Sequence, residues 1–183
     1  KYAAKVSIIG IKNAEHVFQR ELETLLHIDH PCVIKLFGYS LTDFNDDESP
    51  VILTEYMETG SLKNAINAEF ANKPISNWDN TRKQIIFIGM VAGLKALHEK
   101  NIIHRDFKPD NILLDENLNP HIIDFGLSKI LDPDSTVNMS MYGGTASYMA
   151  PEILEGSDFT YPVDMYALGI SIYELICGHS AYD

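Results

Sequence analysis

The sequence predicts an α+β fold with two lobes, in which a small β-sheet lobe with one helix precedes a mainly helical large lobe. Short runs rich in Val and Ile, which favour strands, are concentrated in the first third of the chain. From Gly60 onwards, apolar residues instead recur at helical spacing. With 183 residues, 45% of them hydrophobic and 22% charged, the chain can bury a core and has the composition of a folded protein.

The predicted small lobe covers residues 1–57 and contains the sheet. Its first strand-like run is residues 2–11, interrupted at Gly10, and two more runs occupy residues 33–39 and 51–56. Turn-forming acidic residues separate the last two runs, which indicates that they are consecutive strands.

One helix is predicted between the first two strands of the small lobe. It begins with Asn13 as the N-cap and ends before His30-Pro31. Apolar residues at helical spacing predict its core-facing stripe, which consists of Phe18, Leu22, Leu25 and Leu26.

The predicted large lobe covers residues 58–183 and is mainly helical. Helices are predicted at residues 61–69, 77–100 and 164–177. The apolar stripe of the long helix is formed by Ile85, Ile88, Ala92 and Leu97. Residues 102–151 are predicted to form very short strands and loops, which is where catalytic residues are commonly found.

Charge and cysteine content exclude several classes of protein. The chain has 14 basic and 26 acidic residues, a net charge of −12, which disfavours nucleic acid and anionic lipid as ligands. The only cysteines, Cys32 and Cys177, lack metal-ligand spacing and suit a reducing compartment, so we expect a cytoplasmic or nuclear location. No apolar run approaches the ~20 residues of a membrane span.

The densest group of reactive side chains lies at residues 104–111, which read HRDFKPDN, and at residues 124–126, which read DFG. Two carboxylates and a carboxamide from these segments, Asp106, Asp124 and Asn111, can converge on one divalent cation and one hydroxyl. Hard oxygen ligands suit Mg²⁺, which takes few protein carboxylates and completes its shell with water and phosphate. The motifs therefore predict phosphoryl transfer.

With these motifs, the chain resembles the eukaryotic protein kinases essentially from end to end. The family's remaining motifs are matched in the family's order by Lys5 in an Ala-Ala-Lys strand, Glu21 in the following helix, the Thr-Glu-Tyr-Met segment at 54–57, the Ala-Pro-Glu segment at 150–152 and Asp164. In the family, the residues matched by 104–111 form the catalytic loop, and the Ala-Pro-Glu matched by 150–152 closes the activation segment. Asp164 matches the buried helix aspartate that anchors the catalytic loop. The resemblance implies a two-lobed kinase fold with ATP bound between the lobes.

The resemblance also implies a role for each catalytic residue. Asp106 orients the substrate hydroxyl and accepts its proton, and Lys108 neutralises charge on the transferred phosphoryl group. Asn111 and Asp124 hold Mg²⁺. Lys5 orients the α and β phosphates of ATP.

Other implied contacts position Lys5 and bind the adenine of ATP. The carboxylate of Glu21 pairs with Lys5. Backbone groups of Glu55 and Met57 bind the edge of the adenine, and Ala3 and Leu113 pack on the two faces of the ring. Thr54 lies at the entrance to the pocket behind the adenine.

Serine/threonine specificity is implied by Lys108, two residues after the catalytic aspartate, and by Thr145, which matches the threonine that hydrogen-bonds into the catalytic loop. The partners are then proteins that present Ser or Thr. His30-Pro31 and the Gly-Ser-Leu at 60–62 are most similar to the tyrosine-kinase-like branch of these enzymes.

Regulation is expected at the activation segment, because Arg105 can pair with a phosphate added there. We hypothesise that one of Ser135, Thr136 or Ser140 is the activating site, modified by another kinase or by trans-autophosphorylation.

The extent of the domain and two alternative functions remain to be considered. Relative to the family, the glycine-rich loop before Lys1 and the helices after the Asp164 helix are missing, so a domain truncated at both ends, weak or inactive alone, is expected. A pseudokinase that binds ATP as a scaffold competes with catalysis, although Lys5, Asp106, Asn111 and Asp124 are all present. A kinase acting on a small molecule or lipid is disfavoured by the peptide-docking character of residues 145–152.

Individual residues also have ordinary structural interpretations. Lys5 and Glu21 could be a surface ion pair of little energetic value. The Asp-Phe-Gly tripeptide alone is an ordinary turn sequence. We expect His104 to pack and hydrogen-bond inside the core under Phe125 rather than to act as a base.

Overall fold

A three-stranded antiparallel sheet forms the base of the small lobe. In the computed structural model, which describes residues 1–7, 13–131, 144–156 and 160–182, the strands are β1 (Tyr2–Val6), β2 (Leu36–Ser40) and β3 (Val51–Glu55). Their order is β1-β3-β2, so the most apolar strand, β3, lies at the centre.

The strand predictions are confirmed with shifted ends. The second strand begins three residues later than predicted, because the residues before it turn away to bridge the large lobe: Val33 pairs with Ile122 there. The part of the first run that contains Gly10 lies outside the described residues.

The predicted helix of the small lobe is α1 (Ala14–His27). Asn13 is its N-cap residue, as predicted, but Asn13 has a left-handed conformation (φ 71°) and its side chain makes no capping hydrogen bond. Leu26 is also not part of the buried stripe, since 61% of its surface is exposed. The buried face carries Glu21 and Thr24 besides Phe18 and Leu25, which turns the face away from Leu26.

The large lobe begins with α2 (Leu62–Phe70) and α3 (Asn80–Glu99). The Ser61 hydroxyl caps α2 by accepting the Asn64 N–H at 3.3 Å. The Asp79 carboxylate caps α3 by accepting the Arg82 N–H at 2.8 Å, which is why the helix begins after position 79 and not at 77.

The predicted apolar stripe of α3 is wrong in part. Ile88 is 62% exposed, and Ile85 and Ala92 are only half-buried. The buried face is instead formed by Ile86, Gly89, Met90, Gly93, Leu94 and Leu97. Because apolar residues lie all round the helix, their periodicity does not determine which face is buried. The buried face is determined by Gly89 and Gly93, where the chain around Cys32 and the strand that contains Pro120 approach the helix backbone.

Four very short strands follow, as predicted for residues 102–151. They are β4 (Ile102–Ile103), β5 (Ile112–Leu114), β6 (Pro120–Ile122) and β7 (Lys129–Ile130), which pair antiparallel as β4 with β7 and β5 with β6. The β5–β6 hairpin begins directly after Asn111 and ends two residues before Asp124. An Ile123 N–H to Asn111 carbonyl bond of 2.9 Å closes it, so these two distant segments become neighbours.

Two helices complete the described part of the chain: α4 (Pro151–Leu154) and α5 (Pro162–Cys177). The last helix begins two residues earlier than predicted, with Pro162 in its first turn. It packs against α3, and its Leu168 and Leu175 join the core that continues into the small lobe at Phe18 and Ile52. None of the helices in these ranges combines the length and apolar character needed to cross a membrane.

Candidate active site

Lys5 joins the sheet, α1 and the Asp-Phe-Gly turn at one point. Its ammonium donates to Glu21 Oε2 at 2.7 Å and to Asp124 Oδ1 at 2.9 Å. Glu21, and not Glu23, is the partner because Glu21 lies on the buried face of α1. The cluster is therefore more than a surface ion pair, since Glu21 is buried and Lys5 links three elements.

The charges of this cluster hold one another in place. Burial acts to lower the pKa of Lys5, but the carboxylates of Glu21 and Asp124 outweigh it, and the pKa is raised. Burial raises the pKa of the Glu21 carboxyl in spite of its bond to Lys5. Burial also opposes ionisation of Asp124, but Lys5 and the Gly126 N–H bring its pKa below the ordinary value. Asp124 is thus a stable anion beside a stable cation.

A second cluster surrounds the Asp106 carboxylate. Its Oδ2 accepts from Lys108 Nζ at 2.7 Å and from Asn111 Nδ2 at 3.0 Å. Its Oδ1 accepts from both the N–H and the hydroxyl of Thr145, at 3.1 and 3.2 Å. Lys108 Nζ also donates to the Thr145 hydroxyl at 2.6 Å, so four side chains form one network.

The backbone of the catalytic loop is held by Asp164, which is buried in α5. Asp164 accepts the N–H of His104 at 2.8 Å and that of Arg105 at 2.9 Å. Arg105 has a φ of 70°, a conformation that is costly for a residue with a side chain. The Asp164 hydrogen bonds therefore stabilise a strained loop next to Asp106, and the sequence-based role of Asp164 as its anchor agrees with this geometry.

His104 is fully buried, as expected, and packs on Phe125 with ring centroids 5.2 Å apart. Its Nδ1 accepts the Asp106 N–H at 3.3 Å, and its Nε2 lies 3.0 Å from the carbonyl of Ile123. These partners assign the proton to Nε2, which donates to that carbonyl. Both nitrogens are used inside the core, so the ring has a structural role.

The oxygen donors near the hairpin fit a divalent cation. Asn111 uses its Nδ2 in bonds to the Asp106 carbonyl and carboxylate, which directs its Oδ1 elsewhere. Asp124 Oδ1 is bonded to Lys5, and the ionised carboxylate has a second oxygen to offer. Within the described ranges no three acidic, His or Cys side chains cluster as a metal site. A cation held by two side chains, with phosphate and water completing its shell, suits this donor set.

The residues expected to bind adenine lie along the sheet and the hairpin. Ala3 is paired with Thr54 between β1 and β3. Glu55 and Met57 are half-buried at the end of β3, and Leu113 lies in β5, joined to Ser61 by an isolated bridge. The Glu55 N–H is already bonded to the Lys35 carbonyl at 3.1 Å. The Glu55 carbonyl accepts the Thr54 hydroxyl at 3.2 Å and, like any carbonyl oxygen, has a second lone pair to offer a ligand.

Sequence reasoning missed a buried polar network below Thr145. The Tyr148 hydroxyl donates to both Glu174 oxygens at 3.0 Å, and Lys63 Nζ donates to the same carboxylate at 2.9 Å. Burial and the Glu174 charge raise the pKa of Tyr148. His98 was missed as well, although its Nε2 lies 2.9 Å from Asp164. A charged residue at a core position of α5 was the available signal for Glu174.

A family model for the protein kinase domain matches residues 1–183. The chain is 37% identical to 3-phosphoinositide-dependent protein kinase 1 of Rattus norvegicus over 160 residues, which are 87% of this chain and 27% of that protein. It is 39% identical to a receptor-like protein kinase of Ipomoea nil over an alignment of 187 positions, which covers all of this chain and 16% of that protein. A G-type lectin S-receptor-like serine/threonine-protein kinase of Arabidopsis thaliana is 34% identical over 172 residues, 92% of this chain and 20% of that protein.

The chain therefore belongs to the protein kinase family, among relatives that are serine/threonine kinases. The protein kinase domain, as a family, uses ATP and a divalent metal ion. This chain spans about a quarter or less of each of these relatives. They do not decide the branch, so the tyrosine-kinase-like assignment stays a prediction.

Proposed function

We propose that the protein containing this chain transfers the γ-phosphate of ATP to Ser and Thr hydroxyls of protein substrates. The observation that carries the proposal is the Asp106 network, in which Lys108, Asn111 and Thr145 hold an ionisable carboxylate in a fixed position. Phosphoryl transfer needs mainly positioning and charge stabilisation, and this network supports both.

Each residue of the network has a task in this reaction. Asp106 orients the attacking hydroxyl and accepts its proton. The Lys108 ammonium stabilises negative charge on the transferred group, and its bond to Thr145 restricts its position. We assign Mg²⁺ to the oxygens of Asn111 and Asp124, where the cation would neutralise phosphate charge.

The nucleotide is proposed to lie between the sheet and the β5–β6 hairpin. Lys5 binds the α and β phosphates, and the buried Glu21 carboxylate holds the ammonium for that task. Adenine binds to the Glu55 carbonyl and the Met57 backbone, beside Thr54, with Ala3 and Leu113 on its two faces. Ala3 and Thr54 are paired between β1 and β3, and Glu55 follows Thr54, which supports a common binding edge.

A cationic cluster supports control by phosphorylation. Arg20 of α1, Arg105 of the catalytic loop and Lys129 of β7 form this cluster. Burial, followed by the charges of the neighbouring cations, lowers the pKa of both Arg105 and Lys129. Such a cluster suits a phosphate group. Ser135, Thr136 and Ser140 themselves lie outside the described residues. Mass spectrometry of active protein that found all three unmodified would contradict this regulatory proposal.

The test is transfer of γ-phosphate from Mg-ATP to a generic serine/threonine substrate by protein expressed from its complete reading frame. Asp106→Asn should reduce the rate about 10²- to 10⁴-fold, because the proton acceptor is lost. ATP binding, measured by calorimetry, should be retained. If folded, phosphorylated wild type binds ATP but modifies no protein acceptor, the scaffold alternative replaces this proposal.

A further inference from the structure

Two buried hydroxyls connect α1 with the turn that contains Asp124. Thr24 is 1% exposed and Ser128 is 3% exposed, and their hydroxyl oxygens lie 2.7 Å apart. The two residues are 104 positions apart in sequence. Buried hydroxyls that find each other across such a separation fix the relative position of the two elements that carry them.

The direction of the hydrogen bonds follows from the number of protons. The Ser128 hydroxyl donates to the Phe125 carbonyl at 2.7 Å. A hydroxyl has one proton, so Ser128 has none left for Thr24, and the Thr24 hydroxyl must be the donor of their shared bond. The resulting chain runs from α1 through Ser128 to the Asp-Phe-Gly backbone. The Ser128 N–H also donates to the Phe125 carbonyl, at 3.0 Å.

The hydroxyl pair links the same two elements as Lys5. Thr24 follows Glu21 by three residues and shares its helix face, and Phe125 directly follows Asp124. The Lys5 side chain is 52% exposed and its ammonium is assigned to the nucleotide phosphates, which would compete with its bond to Asp124. The hydroxyl pair is buried and is not part of the proposed nucleotide site, so its hydrogen bond can persist when nucleotide binds.

Helix and turn are also in close contact beside this pair. A Cβ placed on Gly126 would lie 2.7 Å from Val17 Cγ1 of α1. The two surfaces therefore touch without room for a side chain, and a small movement of α1 changes the place of the turn. A directional bond at this contact adds to the restriction of sliding that the close packing already provides.

We propose that Thr24 and Ser128 are a positioning pair, which keeps α1 where Glu21 reaches Lys5 while nucleotide binds. The proposal rests on the phosphoryl-transfer activity proposed above. A positioning pair differs from ordinary buried polar residues in one respect: loss of the hydrogen bond between Thr24 and Ser128 should lower kcat more than it lowers stability. Neither residue touches the reacting atoms.

Four variants separate positioning from packing. Thr24→Val replaces the hydroxyl by a methyl group of similar size, and Thr24→Ser keeps the hydroxyl. Ser128→Ala removes the acceptor and leaves a buried Thr24 proton without a partner, which is costly. The double variant Thr24→Val with Ser128→Ala removes both hydroxyls together and leaves no unpaired donor.

We expect Thr24→Val to lower kcat by roughly fivefold, the equivalent of one ordinary hydrogen bond, with the KM for ATP changed less than about twofold. Thr24→Ser should retain wild-type kcat. Thermal unfolding should show Ser128→Ala as the least stable variant and the double variant as more stable than it. The kcat of the double variant should nevertheless stay low, because the link between helix and turn remains broken.

Ser171→Ala is the matched control. Ser171 is fully buried in α5 and donates to the Ala167 carbonyl at 2.9 Å within its own helix. This variant also removes a buried hydroxyl, leaves no donor unpaired, and should keep the kcat of wild type. If the kcat of all variants simply follows their unfolding temperature, or if the double variant regains full kcat, the pair only packs and the proposal is overturned.

Hydrogen–deuterium exchange of α1 tests the pair independently of activity. Thr24→Val without nucleotide should exchange several-fold faster than wild type over Ala14–His27, with unchanged exchange in α5. Unchanged exchange in α1 would overturn the positioning role. A wild type that transfers no phosphate would refute the proposed function alone, and the exchange result would still decide whether the pair holds the helix.

Discussion

Thr145 and Asp106 share two hydrogen bonds, although they lie 39 positions apart in sequence. The N–H and the hydroxyl of Thr145 both donate to Asp106 Oδ1, at 3.1 and 3.2 Å. Residues that precede the Ala-Pro-Glu motif thus help to fix the carboxylate assigned as proton acceptor. A change in the position of this segment would be transmitted directly to Asp106.

Thr145→Ala should reduce kcat about tenfold or more, because hydrogen bonds to charged groups contribute about 1.5–3 kcal/mol. The substitution removes the hydroxyl that links Lys108 and Asp106 and keeps the backbone N–H. Thr145→Ser keeps the hydroxyl and should retain most activity. Steady-state kinetics on a peptide substrate measures both, and an unimpaired alanine variant would show that the hydroxyl is dispensable.

Asp164→Ala should lower the free energy of unfolding by about 2–5 kcal/mol, because it leaves one buried and one half-buried N–H group without an acceptor. These belong to His104 and the strained Arg105. Urea unfolding measures the change. Glu99→Ala is a suitable control, since Glu99 forms an exposed pair with Lys95 that contributes at most about 0.5 kcal/mol. Equal effects of the two substitutions would contradict the anchoring role.

Gly93→Ala and Gly169→Ala should change stability in opposite directions. A Cβ at Gly93 would lie 2.7 Å from Ile122 Cδ1 and 2.9 Å from the Cys32 carbonyl, and such overpacking costs about 1–3 kcal/mol. Nothing lies within 4 Å of a Cβ at Gly169, so alanine there should stabilise α5 by about 0.5–1 kcal/mol. Thermal unfolding that ranks both below wild type would contradict this contrast.

Chelation of divalent cations should abolish phosphate transfer, and added Mg²⁺ should restore it. Asp124→Asn should raise the Mg²⁺ concentration needed for half-maximal activity at least about tenfold, because it removes an anionic oxygen ligand. Glu116→Gln, an exposed change in the β5–β6 turn with the same loss of charge, should leave that concentration unaltered. Equal Mg²⁺ requirements for the two variants would remove Asp124 from the metal site.

The sequence was informative wherever chemistry depends on short contiguous motifs. The roles of His104, Thr145 and Asp164 as buried or anchoring residues followed from the motifs, and the structure gives each the expected contact. The stripe of α3 was assigned incorrectly, because apolar residues lie all round that helix and only tertiary contacts at its glycines select a face. The Thr24 hydroxyl had no signal, since its partner is distant in sequence.

The close packing of Gly89 and Gly93 also determines which parts of the site can adjust. A Cβ at Gly89 would lie 2.4 Å from the Pro120 ring, so side chains of the β5–β6 hairpin rest directly on the main chain of α3. Asn111 and the segment leading to Asp124 extend from the base of this hairpin, and their spacing follows from backbone geometry. The large lobe therefore supplies a fixed frame of reference, and we expect changes of cleft shape to come from the sheet and α1 moving against it.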